Sequence, residues 1–474
     1  MSNTKKNSQF FEWCVPTLLG LAGVLSINPY FLWLLRGGQL AAAAGLSIIA
    51  IAWQISRRGI CWPPRTETIG VALLIIYLGY LTALTRMDGS HSKWVAVIPF
   101  LVAIATLSDE SREKCLEAFI TIFAITLIPA IVIWCLVIVN FPVEFHSVPY
   151  ANPQMTSAAG GGLLYMPGVI FIEGNSVVLK TGGTLFRLCA IYDEPGTVGT
   201  IAALALAAVR FKINDWRYAI LFIGGLASLS IAFIVMAIIG YSTAAILSRR
   251  LGRLLLLPPL IVAFALSMGW IDPSATVGST SNVTIIAPKK NEQQAQTLWE
   301  PVSDLLSSIP WFNSLRSTTT TRSKEENNEY RASRRKLLAG FNLRTPGAFD
   351  DRSNIGMREL LRVYWKSNWK TRMLGIHSDA STIDPTSQVV WRILTDSGIV
   401  GFSLLLAGCA TIVFSIWHRR GYSSYAILCI AIFVLSCYQR PVIWLPYTLL
   451  ILICGVHTAS EPRRLINGPP GQHV

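Results

Sequence analysis

The sequence predicts an all-α polytopic membrane protein, with about twelve transmembrane helices and two extracytoplasmic loop regions, the second large and partly helical. Three observations lead there. Of 474 residues, 52% are hydrophobic and only 14% charged, against about 25% charged in soluble domains. The apolar residues gather into runs such as Ile69–Leu84, Ala118–Val139, Leu254–Met268 and Ile399–Trp417. Each is at or near the length that carries a helix across about 30 Å of hydrocarbon. Basic residues punctuate these runs on alternate turns, the positive-inside pattern. A transmembrane β-barrel would show short alternating segments instead.

Residues 1–140 hold five spans, at 11–27, 39–55, 68–84, 93–107 and 116–140. The first follows Lys5 and Lys6 as a signal peptide would. It contains Glu12 and Pro16 and lacks a convincing cleavage site, so it reads as a retained helix. Residues 141–186 form a first loop rich in Gly, Pro, Ser and Asn, in which Val169–Ile172 and Ser176–Leu179 are spaced to pair as a hairpin across Glu173, Gly174 and Asn175. Residues 187–269 hold spans 187–209, 217–229, 231–248 and 254–269. The stretch 217–248 is too long for one helix, and Gly224, Gly225, Ser228 and Ser230 mark its break. Residues 270–391 form the large second loop, 392–457 hold spans 392–417, 424–438 and 441–457, and 458–474 are a tail.

Lys5/Lys6, Arg57/Arg58, Arg112/Lys114, Arg210/Lys212/Arg217, Arg249/Arg250/Arg253, Arg419/Arg420 and Arg463/Arg464 all fall on one side of this layout. Both termini are then cytoplasmic. This retention signal accounts for much of the net charge of +14, so the charge implies no nucleic-acid partner. The informative cations lie on the other side: Arg36, Arg86, Arg187 and Arg440, with sixteen Lys and Arg in the second loop against twelve Asp and Glu. A basic outer vestibule suits an anionic ligand, lipid-linked phosphate above all. Snorkelling to headgroups is the plainer use of any single one of them.

The segment running from Arg187 through Asp193-Glu194-Pro195-Gly196 to Gly199 is the most informative. Pro195 lacks an amide hydrogen and pushes Glu194 out of helical dihedrals, so a new helix should start with Pro195 in its first position. Asp193 and Glu194 would sit at the positive end of that helix. Ionisable groups at a helix break in a membrane protein point to function. A capped interfacial helix end, with Arg187 paired to Glu194, is the structural alternative.

In the second loop, residues 280–350 include Ser317, Thr318–Thr321 and the charged run Arg322–Lys336, part of which is expected to be mobile. A helix then begins near Ser353, a plausible N-cap. Arg358, Arg362, Lys366 and Lys370 recur every four residues along one face, beside an apolar stripe of Leu361, Trp365 and Trp369. Such a helix can lie at the membrane interface or roof a cavity, and a solvated charged face is the plain alternative. His377, Asp379 and Asp384 follow, too few and too loop-borne for a metal site to be expected. The nine cysteines lie in or beside predicted helices, show no disulfide or zinc pattern, and read as packing residues.

Taken together, these features resemble the bacterial O-antigen polymerase and ligase superfamily. The resemblance rests on the many-helix layout with a large late loop, on Arg187 with Asp193-Glu194-Pro195-Gly196, on Arg352-Ser353 with Arg358, and on Gly375-Ile376-His377 followed by Ser397–Gly401. The Glu-Pro element is closer to the polymerase branch than to the ligases. The resemblance implies a GT-C-like architecture in the bacterial inner membrane, with the active site periplasmic. It implies a metal- and cofactor-independent glycosyltransferase that uses undecaprenyl-diphosphate-linked glycans as donor and acceptor. It leaves room for a chain-length regulator and a flippase as partners.

On that reading Glu194 is the base, His377 a second base or diphosphate ligand, and Arg187 a donor to the leaving diphosphate. Arg358, Arg362, Arg440, Arg86, Asp193 and Arg352 complete the expected substrate-binding set. A ligase that transfers glycan to lipid A core is the nearest rival. A transporter should show inverted repeats and mid-membrane charge, neither of which is evident. A non-enzymatic assembly partner would tolerate changes at Glu194 and His377.

Overall fold

The computed structural model describes residues 2–32, 38–57, 61–87, 94–139, 141, 143–148, 163–166, 168–172, 177–178, 184–249, 251–262, 283–286, 355–376, 390–439 and 442–460. The chain divides into two compact units, Met1–Ile285 with Arg352–Val474, and Ile286–Asp351. Apart from Ile286, the described residues belong to the first.

That unit is a helical bundle: α1 Ser2–Leu25, α2 Gly38–Arg57, α3 Arg65–Met87, α4 Ile98–Ala105, α5 Asp109–Ile138, α6 Pro195–Ala208, α7 Trp216–Ala227, α8 Ile231–Ser248, α9 Ile355–Lys366, α10 Trp369–Leu374, α11 Val390–Arg420, α12 Ser424–Gln439 and α13 Pro446–Ala459. Five described helices are long and apolar enough to cross a membrane: Gly38–Ser56, Arg65–Leu84, Asp109–Ile138, Ile231–Ser248 and Trp391–Arg420. Six further apolar helices are shorter, 10–17 residues each. Large apolar side chains such as Ile48, Ile76, Ile125, Val132 and Leu406 are exposed on the helix surfaces. Hydrocarbon is the solvent that suits them, and the chain is a helical membrane protein.

Several sequence-based boundaries shift. The span expected at 187–209 is helical only from Pro195, because 186–194 is an irregular segment with a turn at 190–191 that bonds to its neighbours. The long stretch 217–248 breaks where expected, between Ala227 and Ile231. The span expected at 392–417 carries a non-helical residue, Gly398. The last helix contains a π-helical turn at Ile451–Gly455. Of 254–269, helical conformation is described through residue 262.

The expected hairpin pairs differently. β3 (Val169–Ile172) pairs with β2 (Leu163–Met166), in the register Met166↔Val169 and Leu163↔Ile172. β2 also pairs with β1 (Val143–Val148), while β4 (Val177–Val178) pairs with β5 (Thr184–Leu185). The reason is the Pro-Gly dipeptide at 167–168, a tighter turn signal than Glu-Gly-Asn. Gly168 takes the positive φ of +83° that such a turn needs.

The helices share two ends. Arg112, at the start of α5, bonds Glu67, at the start of α3. Arg420, at the end of α11, bonds Glu113 at 2.5 Å. Arg210, just past α6, reaches the carbonyls of Thr458 and Ser460 at the end of α13. Arg217, at the start of α7, bonds Glu117 at 2.7 Å. The opposite end holds the ends of α1, α3 and α5 and the starts of α6, α11 and α13. There the Tyr447 N–H donates to Ser26 Oγ at 3.1 Å. Between the ends, α6 is buried along its whole length. Its Gly, Ala and Thr side chains let neighbours close in. A Cβ on Gly199 would lie 2.6 Å from Ser230 Cβ and 2.8 Å from Ser228 Oγ.

Five of the nine cysteines, Cys115, Cys189, Cys429, Cys437 and Cys454, are buried as packing residues. Cys61 and Cys135 depart from the expectation, being exposed on the surface.

Candidate functional site

Two assemblies stand at the end opposite the Arg210–Arg420 end. The first is the segment entering α6. Its backbone is pinned from four sides. Trp134 Nε1 donates to the Phe186 carbonyl at 2.8 Å and the Leu188 N–H to the Ala227 carbonyl at 3.0 Å. The Ile170 N–H of β3 donates to the Ala190 carbonyl, and the Tyr30 N–H to the Ile191 carbonyl, both at 2.8 Å. These bonds replace a helix's own, which is why 186–194 stays out of helix. Ala190 adopts a left-handed φ of +54° to make the bend.

Pro195 then opens α6 in its first turn, with Glu194 extended before it at φ −151°, ψ 144°. Arg187 Nε donates to the Ser228 carbonyl at 3.1 Å, which ties the guanidinium to the α7–α8 turn. Thr197 Oγ1 donates to Asp193 Oδ1 at 3.3 Å. Arg187, Asp193 and Glu194 are all half-buried. The two carboxylates therefore lie where the α6 dipole favours negative charge. The Tyr192 hydroxyl, on the preceding residue, shares a 2.8 Å bond with Thr126 on α5.

The second assembly is the α9–α10–α11 junction. The basic repeat expected on one continuous helix is divided. Asn368 accepts the Thr371 N–H at 2.9 Å and so caps a new helix, while Ser367 Oγ bonds back to the Tyr364 carbonyl at 2.6 Å. Lys370 and Trp369 thus belong to α10, and the Ser-Asn pair was the legible signal. The predicted stripe also divides, since Leu361 is half-buried while Trp365 and Trp369 are exposed. Leu360 and Tyr364 form the buried side of α9, against Ile376 and Leu394.

Two tyrosines staple this junction. Tyr364 donates to the Arg372 carbonyl at 2.5 Å, and burial holds its phenol above the ordinary range. Tyr80, from α3, reaches the carbonyls of Leu374 at 2.9 Å and Ser397 at 3.1 Å. The Ile376 N–H adds a 2.7 Å bond to the Thr395 carbonyl.

Of the expected site residues, Arg187, Asp193 and Glu194 lie together on one pinned segment. Arg358 and Arg362 lie one turn apart on α9, with Arg362 exposed, and Arg86 lies in the last turn of α3. All six stand at the same end of the bundle. His377, Arg440 and Arg352 lie outside the described residues, as do Ser353, Asp379, Asp384 and the 280–350 segment apart from Val283–Ile286.

The other end carries a cluster that sequence reasoning missed. Glu67 and Arg112 pair with both side chains 1% exposed. Arg112 also donates to the Ala105 carbonyl at 2.8 Å. Arg419 lies 3.1 Å from Asp109 and 3.6 Å from Glu67. Buried His457 accepts from Arg420 Nε at 2.8 Å and stands 3.2 Å from Asp109. With Glu113, which Arg420 also bonds, three carboxylates face three guanidiniums, and the groups join α3, α5, α11 and α13. The available signal was Glu67, a carboxylate at the edge of an apolar span.

Compared with protein-family models, with characterised proteins and with solved structures, the chain matches none.

Proposed function

We propose that the chain polymerises undecaprenyl-diphosphate-linked oligosaccharide repeat units into O-antigen or a related surface polysaccharide. The observation that carries this reading is the gathering of Arg187, Asp193 and Glu194 at the start of α6, at the bundle end shared by Arg86 and the basic helix α9. By the positive-inside rule the Arg210–Arg420 end faces the cytoplasm, which makes this end periplasmic, the side on which such donors are presented.

In the proposed reaction, a hydroxyl oxygen of the acceptor sugar attacks the anomeric carbon of the donor glycan. The new C–O bond forms as the bond to the lipid diphosphate breaks. The bonding pair leaves with the diphosphate, and the hydroxyl proton passes to the Glu194 carboxylate. Arg187 and Arg358 oppose the charge growing on the diphosphate, since a guanidinium can grip two phosphate oxygens at once. The bonds that pin 186–194 hold Arg187 and Glu194 in place before substrate arrives, and so lower the cost of orientation.

The test is incubation of purified protein with lipid-linked repeat units. A ladder of lengthening products supports the reading. No ladder from the wild-type protein, or an unchanged ladder from Arg187→Ala and Glu194→Gln, refutes it. Transfer to lipid A core without elongation would identify a ligase.

A further inference from the structure

The stapled junction of α9, α10 and α11 has an outer side that is exposed among the described residues. Trp365 is 53% exposed, Trp369 66% and Trp391 47%, and Met373 and Leu374 are exposed beside them. Lys366 and Lys370 are exposed on the same two short helices. Between residues 355 and 376 the only acid is Glu359, against Arg358, Arg362, Lys366, Lys370 and Arg372. Large amphipathic rings with flanking cations are the side chains that settle at headgroup level in a bilayer.

The depth of the junction agrees. From Gly398 to Arg420, α11 rises roughly 33 Å at 1.5 Å per residue, about one hydrocarbon thickness. Arg420 sits in the charged cluster at the far end. Gly398 therefore lies at the opposite boundary of the hydrocarbon. Gly375 is packed directly on Gly398, so α10 is held at that boundary too. Tyr80 and Tyr364 each donate to a carbonyl of α10, which ties it to α3 and α9 at that level.

We infer that α9 and α10 form an interfacial anchor: Trp365 and Trp369 insert among the headgroups of the bilayer that the bundle spans, and Lys366 and Lys370 bind anionic phospholipid headgroups. This seating does not depend on the proposed reaction. It places the large loop's return at the membrane surface whether or not the chain elongates a glycan.

The experiment uses the full chain in proteoliposomes, with exposed Cys61 and Cys135 replaced by Ser and a nitroxide attached to Trp369→Cys. Trp365→Cys is the second site, and Ile76→Cys, on the exposed surface of α3, marks the hydrocarbon. Label accessibility is read by electron paramagnetic resonance against oxygen and a water-soluble nickel chelate. In phosphatidylcholine the 369 label should show an oxygen-to-nickel ratio between those of the Ile76→Cys label and a label free in water. Adding about a third phosphatidylglycerol should move it inward, since each cation near an anionic surface strengthens its attachment. K366Q/K370Q should abolish that lipid-dependent shift. Full nickel accessibility at both 369 and 365 would overturn the inference. So would a label shielded from oxygen and nickel alike, which would mean that protein covers the patch. A shift toward the membrane that is unchanged in K366Q/K370Q would overturn the assignment of the lysines.

Discussion

Gly375 and Gly398 are packed backbone to backbone. A Cβ on Gly398 would lie 2.5 Å from the Gly375 nitrogen and 2.3 Å from the Met373 carbonyl oxygen, and one on Gly375 would lie 2.2 Å from the Asp396 carbonyl oxygen. Both residues hold conformations open in practice only to glycine, Gly375 at φ 98°, ψ 167° and Gly398 at φ 65°, ψ −176°. The contact joins the end of the loop helices to the point where α11 departs from regular helix. Either Gly→Ala change should cost about 3 kcal/mol or more, from backbone strain and steric conflict together. Thermal unfolding in detergent is the measurement, and a variant within about 1 kcal/mol of wild type would mean that the two backbones are not in contact.

Tyr80→Phe removes the hydroxyl that serves the Leu374 and Ser397 carbonyls. A loss of about 1 kcal/mol is expected, with the fold kept. Amide exchange should show α10 opening more often, while α5 and α6 stay as protected as in the wild type.

Arg112→Ala leaves the Glu67 carboxylate buried without its main partner. It should destabilise the protein by about 3–5 kcal/mol. Replacing both Glu67 and Arg112 by Met should cost much less than the sum of the single changes, because the desolvation penalty disappears with the charges. Additive losses in a double-mutant cycle would deny the pair its coupling.

Asp215 caps α7 by accepting the Arg217 N–H at 2.9 Å, and its carboxylate grips the Arg217 side chain at 2.6 and 2.9 Å. These bonds hold its carboxyl below the ordinary carboxylate range. A lowered folded-state value means that its contribution is fully present above the unfolded value of about 3.9. It is lost as pH falls through the lower folded value. Asp215→Asn should therefore cost stability throughout the neutral region, and its difference from the wild type should shrink as pH falls below about 4. Denaturant midpoints measured across that range give the comparison.

Glu194→Gln preserves shape and removes the proposed proton acceptor. If the proposed chemistry holds, the elongation rate should fall by about 10²–10⁴ while the melting temperature stays near wild type. Arg187→Lys keeps the charge but loses the planar fork, and it should weaken donor use more than acceptor use. Product ladders at varied donor concentration separate the two effects.

The start of α6 was legible because Pro195 acts locally: its missing N–H and its ring constrain the chain whatever surrounds it. The turn between α7 and α8 was legible for the same kind of reason. The Asn368 cap is equally local, but it lies inside the four-residue basic repeat, whose period suggests one unbroken helix. Glu67 with Arg112 is different. Forty-five residues separate the partners, and no spacing rule links two charges on separate helices.

Membrane residence and helical class follow from the order of residues alone, because crossing hydrocarbon demands a long apolar run and self-satisfied backbone bonds. Tertiary structure decided what the runs become together. It determined that 186–194 stays non-helical, since Ala190 and Ile191 find their hydrogen-bond donors on β3 and at Tyr30. It determined that two glycines twenty-three positions apart touch, and that four helices meet in one charged cluster. Each of these rests on atoms brought within about 3 Å by packing, a distance that neighbouring positions in the chain do not encode.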